Sequence, residues 1–193
     1  VTLLADHQIL NAIQDGDIAI DPFDMSMLQP ASVDLHLGYE LKIYKPGPPI
    51  DPLVGVTEDD FTVIDLNEVG YWSLKPGEGA LGCTIQTVKL SARVKASFDG
   101  RSTTGRWLLA QHVTAGFFDP GYEGQPTVEI VNFNSVRTIW LRPGMGIAQM
   151  SFHRLGMGAK RPYGHPGLRS KYQGQMGATI PGTVRTLALA EES

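Results

Sequence analysis

Two stretches carry residues able to do chemistry. The first, Gly100 to Trp107, reads GRSTTGRW and nearly spells the phosphate-cradling pattern G-x-x-x-x-G-K-[ST]. Arg106 and Trp107 stand where that pattern needs a lysine and a metal-binding hydroxyl, and tryptophan cannot ligate a metal, so the P-loop reading fails. What survives is a glycine-flexed loop with two guanidiniums, Arg101 and Arg106, and three hydroxyls, Ser102, Thr103 and Thr104, all able to donate to an anion. The second stretch, TVEIVNF, alternates as a strand does and puts Thr127, Glu129, Val131 and Phe133 on one face. Glu129 is thereby sent where apolar residues go. Burial there would raise its pKa and suit it to take a proton from water and return it later. A glutamate facing solvent on an edge strand is the alternative, and the commoner arrangement.

The other polar residues imply less. Asp119 sits in a D-P-G turn, where backbone geometry alone accounts for an aspartate. His112 fits a hydrogen-bonded core residue, and His7, His36, His153 and His165 are scattered without metal-ligand spacing. No Ser/His/Asp set declares itself. Cys83 is the only cysteine, which excludes an internal disulfide framework, a Cys-rich zinc site and the P-C-x-x-C ligand pair of zinc nucleobase deaminases. With Lys+Arg 16 against Asp+Glu 20, the chain lacks the broad basic footprint of a nucleic-acid binder, though a local cluster would serve a small phosphorylated ligand. No apolar run approaches a membrane span and the first residues do not read as a signal peptide, so the expected location is cytoplasmic.

The elements that must position these groups are mostly strands. ADHQILNAIQDG predicts one short helix, with Asp6 able to cap, Ile9, Leu10 and Ile13 on one face and Gly16 as the stop. After it come SVDLHLG, YELKIY, FTVIDL, LGCTIQTVKL, TVEIVNF, TIWL and GIAQMSF, short alternating runs separated by glycine, proline and Asx residues. Gly 22 and Pro 13 as punctuation argue for antiparallel strands in a β-sandwich or barrel-like fold, and 193 residues suit one domain. KPGPPIDPLVGVTEDD is too proline-rich for a central strand and reads as a surface excursion. Beyond Leu155 the chain becomes Gly-, Arg- and Tyr-rich without periodicity. It is either a disordered end or a segment that orders over a ligand, and Lys171, Tyr172, Gln173 and Gln175 favour testing the second.

Taken in order, LLADHQI, IDPFD, QPASVDLHLG, DGRSTTGRW, HVTAGFFDPGYEG, TVEIVN, LRPGMGIAQM, RPYG and SKYQGQ resemble the dCTP deaminase family, relatives of the trimeric dUTPases. The resemblance covers nearly the whole chain. It implies a mainly β, distorted β-sandwich or jelly-roll of the dUTPase-like type with a short N-terminal helix, residues 1–193 forming one domain in which about 160–193 are lid and tail. It also implies a homotrimer with active sites between subunits, so that the Arg101 to Arg106 loop would hold a nucleoside triphosphate.

By the same resemblance Glu129 is the general base that activates a water against the amino-bearing carbon of cytosine, without catalytic zinc. Ser102 and the Ala115 carbonyl would position water and base, Arg106 would orient Glu129 or offset developing charge, and Arg101 would meet phosphate, with Thr103 beside it. Main-chain groups of Thr127 and Val128 would read the pyrimidine edge, and Asp119 would grip the deoxyribose hydroxyl. Tyr163, Lys171, Gln175 and Gln149 match nucleotide contacts, and Mg²⁺ would enter with the triphosphate. Thr103, Thr104 and Trp107 replace the family's more usual Ser, Leu and Leu. Gly116 followed by Phe117 matches members that convert dCTP directly to dUMP, which supplies thymidylate synthesis; the simple deaminases often carry His at that place. KYQGQ stands where dUTPases have a Gly-rich motif. The implied function is therefore dUMP-forming dCTP deamination, with dTTP as a feedback inhibitor and no nucleic acid or membrane as partner. The alternatives are a deaminase that stops at dUTP and a non-catalytic trimer that senses dCTP or dTTP.

Overall fold

The computed structural model describes residues 2–184. The predicted helix forms over Asp6–Gln14 and ends where Gly16 turns to φ +75°. Its N-cap is Ala5 rather than Asp6: Gln8 reaches back to accept from the Ala5 N–H at 3.0 Å, while Asp6 accepts from the His7 N–H. The helix buries Ile9 and Ala12, with Leu10 and Ile13 only half-buried.

The remaining architecture is mainly β. Two runs separated in the sequence reading at a glycine are one strand, Ser32–Tyr44, because Gly38 extends without a break. A Cβ at Gly38 would stand 3.0 Å from both the carbonyl oxygen and the Sγ of Cys83, so the glycine serves close strand approach and not a turn. LGCTIQTVKL divides instead into Gly79–Thr84 and Thr87–Leu90. The excursion after Tyr44 carries no strand until Phe61–Asp65, as its prolines require.

Seven strands run in one antiparallel order, Leu109–Ala110, Thr127–Asn132, Gly79–Thr84, Ser32–Tyr44, Gly146–Arg154, Val94–Gly100 and Phe117–Phe118. Smaller sheets of three and two strands lie beside it. The first and last strands of the long order are joined by residues 111–116 alone. Six inter-strand gaps of roughly 4.8 Å make about 29 Å across a flat sheet, whereas seven peptide steps reach at most about 25 Å. The sheet must therefore curl, and its two ends approach each other. Val33, Leu35, Leu37 and Leu41 of the central strand fill the inside of that curl with Ile147, Met150, Phe152, Val94, Phe98, Val128 and Ile130. Cys83 lies within the same wall, its thiol pushed up to about 11 chiefly by burial. Among the described residues no helix is long and apolar enough to cross a membrane.

The helix end is tied to the long sheet by an ion pair, Arg154 donating to Asp17 at 2.7 Å. Burial pushes the Asp17 carboxyl up, but hydrogen bonds from Ser91 and Arg154, with the charges of Arg154 and Arg93, outweigh it and hold the group below the ordinary aspartate range. Arg154→Met strands that carboxylate and should cost about 1–3 kcal/mol at neutral pH. Because the folded pKa is depressed, the wild-type advantage is present above the unfolded value near about 4 and is lost as pH falls through the folded one. Chemical unfolding at a series of pH values should thus show a gap that closes in acid.

Candidate active site

Glu129 sits in the interior of the long sheet, on Thr127–Asn132, opposite Leu81 of Gly79–Thr84. The alternation is as read, but its polarity is reversed. Val128, Ile130 and Asn132 form the buried face, and Thr127, Glu129 and Val131 form the half-exposed one, with Phe133 exposed beyond the strand end. Asn132 explains part of the inversion: its Nδ2 donates to the Leu74 and Arg137 carbonyls at 2.9 Å each, which satisfies an amide inside the core. Glu129 is thus not a core carboxylate: its side chain is half-exposed, on a strand paired with Gly79–Thr84 on one side and left unpaired by Leu109–Ala110 at that position on the other.

It lines a cavity of about 540 Å³, a size that suits a nucleotide-sized ligand. Thr127, Glu129 and Leu81 line it from the sheet, Ala115 from the segment that joins the two sheet ends, Phe117 and Asp119 from the last strand and the turn after it, and Tyr163 and Gln175 from the tail. The fold brings these sequence-expected residues together for a simple reason. The short 111–116 connection draws Ala115 and Gly116 across the mouth of the curl, toward the Glu129 strand. On that side, strand pairing with Leu109–Ala110 reaches only Val131 and Asn132, so no strand covers the outer edge at 127–130. Thr127 lines the cavity, whereas Val128 is not among its lining residues and its side chain is wholly buried in the core.

Of the lining residues, Tyr172 was singled out in the tail, whereas Tyr44, Leu81, Phe118 and Tyr122 were not assigned from sequence. Tyr44, Phe118, Tyr122 and Tyr172 give the cavity an aromatic wall. Tyr122 is pushed up by burial, so its hydroxyl stays protonated while accepting from Gln175 Nε2 at 3.1 Å. Tyr122 lies in the quoted GYEG run, but a turn motif carries no sign of which way its aromatic faces. The tail closes the remaining side with Thr179, Ile180 and Pro181. Tyr172 orders it further, donating its N–H to the Tyr163 hydroxyl at 3.0 Å and accepting from the Gly182 N–H at 2.9 Å. The part of the expected lid at 185–193 lies outside the described residues.

Lys171 is not in this cavity. It lines a neighbouring one of about 530 Å³ that also holds Arg161 and Arg169 and shares Asp119, Tyr163 and Tyr172 with the first. Asp119 thus stands between an aromatic cavity and a cationic one. Lys171 Nζ donates to the Thr183 carbonyl.

The GRSTTGRW stretch is a one-turn helix, Ser102–Arg106, rather than a loop, and none of it lines the Glu129 cavity. Ser102, Thr103 and Arg106 are exposed. Thr104 is the exception among the hydroxyls read as anion donors: it is buried and donates to the Arg101 carbonyl at 2.9 Å. Arg101 pairs with Asp34 at 3.0 Å, and Gln149 on the adjacent strand donates to the Gly100 carbonyl at 3.3 Å. Arg101 and Gln149 therefore belong with the helical turn and not with Glu129. Directly after the turn Leu108 holds a positive φ of 62°, an unusual conformation for leucine, and its carbonyl accepts from the Phe133 N–H at 2.8 Å. Around it Trp107, Leu108 and Phe133 are 48%, 53% and 63% exposed. A basic, hydroxyl-bearing turn is thus set in an apolar surface.

Gly116 is not in a positive-φ conformation; it is needed for closeness. Its carbonyl accepts from the Phe98 N–H at 2.8 Å, and a Cβ would lie 2.6 Å from the Phe98 carbonyl oxygen. Phe117 projects outward beside it with Lys95 Nζ 4.4 Å from its ring centre.

A family model described as dCTP deaminase-like matches residues 3–155. A Tropheryma whipplei (strain Twist) protein named "dCTP deaminase, dUMP-forming" is 41% identical over 182 residues, covering 92% of this chain and 90% of its own. A Beutenbergia cavernae protein of the same name is 42% identical over 182 residues, covering 92% of each. Among solved structures, the 2'-deoxycytidine 5'-triphosphate deaminase from Agrobacterium tumefaciens superposes with a TM-score of 0.62 at 23% identity, over 79% of this chain and 47% of that one. The chain spans about half the length of that structure, and the likeness there is one of fold.

Gly116→Ala should drive the Phe117–Phe118 strand from Val94–Gly100, since the atom its Cβ would strike, the Phe98 carbonyl oxygen, is backbone and not the end of a flexible side chain. An overpacking cost of about 1–3 kcal/mol is expected. A thermal midpoint equal to that of the wild type would show that the segment has room the geometry denies it.

Proposed function

Because the chain belongs to the dCTP deaminase family, we propose that it hydrolyses dCTP to dUMP, ammonia and pyrophosphate in the cavity above Glu129. The observation that carries this reading is the convergence of Glu129, Ala115, Asp119, Thr127, Tyr163 and Gln175 on one cavity of nucleotide size. The dUMP-forming names of the relatives support the product, and Gly116 with Phe117 at the cavity mouth is consistent with it.

In this reading the pyrimidine lies against the open edge of the Glu129 strand, its polar rim hydrogen-bonded by backbone groups of Thr127 and Val128. Glu129 takes a proton from a water held by the Ala115 carbonyl, and the oxygen adds to the amino-bearing ring carbon. The proton passes on to the leaving amine, the carbon–nitrogen bond breaks and ammonia departs. A second water then attacks the α-phosphorus and pyrophosphate leaves, with Asp119 holding the sugar hydroxyl between the aromatic and cationic cavities. Among the described residues no cluster of three or more His, Cys, Asp or Glu side chains could hold a metal. Mg²⁺ brought by the triphosphate would take its ligands from phosphate oxygens and water, and would neutralise phosphate charge.

Ser102, Arg106, Arg101 and Gln149 complete the reading only if they come from a second copy. The exposure of Ser102 and Arg106 beside an apolar surface, with all four residues outside the Glu129 cavity, fits a homotrimer with shared active sites.

Incubation with dCTP and Mg²⁺ should yield ammonia, dUMP and pyrophosphate in equal amounts; accumulation of dUTP would remove the second step, and no turnover would remove the whole reading. Glu129→Gln should lower ammonia release by at least about 10²-fold, the range expected for loss of general-base catalysis. Mixing Glu129→Gln with Ser102→Ala subunits, each inactive alone, should restore roughly a quarter of wild-type activity by random pairing across interfaces. Failure of these two defects to complement would place both residues in one subunit's site.

A further inference from the structure

The tail that closes the cavity is held to the body at one place by an unusual arrangement. Three successive backbone N–H groups are each taken by a different side chain: Gly177 donates to Gln125 Oε1 at 2.7 Å, Ala178 to Glu40 Oε1 at 3.0 Å and Thr179 to Thr127 Oγ1 at 3.4 Å. The hold is reciprocal. Gln175 Nε2 donates to the Gln125 carbonyl at 2.7 Å and reaches Thr127 Oγ1 at 3.3 Å, and the Gln125 N–H donates to the Gln175 carbonyl at 2.9 Å.

Glu40 is the charged member of this clasp, and a carboxylate accepting from a backbone N–H forms the stronger class of hydrogen bond. It stands on the central strand Ser32–Tyr44, in register with Asp65, so its position is fixed by the sheet. The tail is shaped to meet it. Gly177 is at φ +72°, and a Cβ there would lie 3.1 Å from Glu40 Oε1. Ala178, at 1% exposed, is the one buried residue of the described tail at 160–184. Glu40 itself does not line the cavity, whereas Gln175 and Thr179, on either side of its contact, do.

We propose that Glu40 is a positioning residue that holds the tail closed over the nucleotide. The proposal rests on the reading of this cavity as the dCTP site. Glu40 acts through the Ala178 N–H and touches no substrate. Without it the Thr179 to Pro181 wall is free to swing away, while Gln175 keeps its bonds to Gln125 and Tyr122. Glu129 and Ala115, carried by the body, stay in place. Substrate binding should therefore suffer more than the chemical step at saturation.

The test compares Glu40→Ala with Glu40→Gln in the full chain, Gln retaining an acceptor oxygen at the same reach. In Glu40→Ala, amide exchange at 176–180 should rise about tenfold and the dCTP KM should rise about tenfold, the scale of one lost hydrogen bond to a charged acceptor. The kcat should stay within roughly threefold, and Glu40→Gln should return both quantities most of the way to wild type. Wild-type exchange and KM in Glu40→Ala would overturn the proposal. So would loss of protection throughout Ser32–Tyr44 with a lowered thermal midpoint in both variants, which marks a merely structural role. The exchange measurement needs no nucleotide. If the wild-type chain does not turn over dCTP the functional reading falls, while tail exchange still decides whether Glu40 is the clasp.

Discussion

The structure depends on one constraint of chain length. The long sheet begins at Leu109–Ala110 and ends at Phe117–Phe118, and only residues 111–116 lie between them. A flat sheet of that order is wider than the connection can reach, so the sheet curls until its ends are neighbours. The core inside the curl is the hydrophobic consequence, and the cavity outside the Glu129 strand is the functional one. Ala115 and Gly116 reach the site because the connection has nowhere else to run. Gly116 must be glycine because that path passes against the Phe98 carbonyl.

Around this frame the chemistry is divided by location. The cavity holding Glu129 is walled by aromatic rings, and its one further carboxylate, Asp119, sits where it meets a second cavity lined by Arg161, Arg169 and Lys171. An uncharged base and sugar suit the first environment, and an anionic tail suits the second. The other basic group, at the Ser102–Arg106 turn, is on a different surface and is held there by its own partners. Asp34 fixes Arg101, and Thr104 spends its hydroxyl closing the turn. Within one chain the two basic groups are therefore separate.

The tail obeys a related logic. Residues 160–184 have almost no regular structure, yet they are ordered by side chains that answer backbone groups one for one, as Gln175 does for the Gln125 carbonyl and Glu40 for the Ala178 N–H. Backbone that leaves a sheet must find other partners. Here it finds them at the rim of the cavity that the tail lines.

The sequence by itself determined a good deal. Alternation and punctuation located seven of the fifteen described strands and the Asp6–Gln14 helix but missed Ile18–Asp21 and Val94–Gly100, the prolines after Tyr44 excluded a strand there, and ordered short motifs pointed to the dCTP deaminase family that the comparisons establish. It also grouped Thr127 with Glu129 on one strand face, since a period of two is a local property. Which of the two faces meets the core was decided only by tertiary structure, because the polar Asn132 finds carbonyl partners inside and the apolar Val131 does not need to be there. Gly38 was read locally, as a break, and Gly116 only as a family match, and both are demanded by atoms distant in sequence. The separation of the Arg101 to Arg106 turn from Glu129, the aromatic wall around Tyr122 and the Glu40 clasp likewise depend on where the sheet brings remote segments. No spacing along the chain encodes those meetings; the curl of the sheet does.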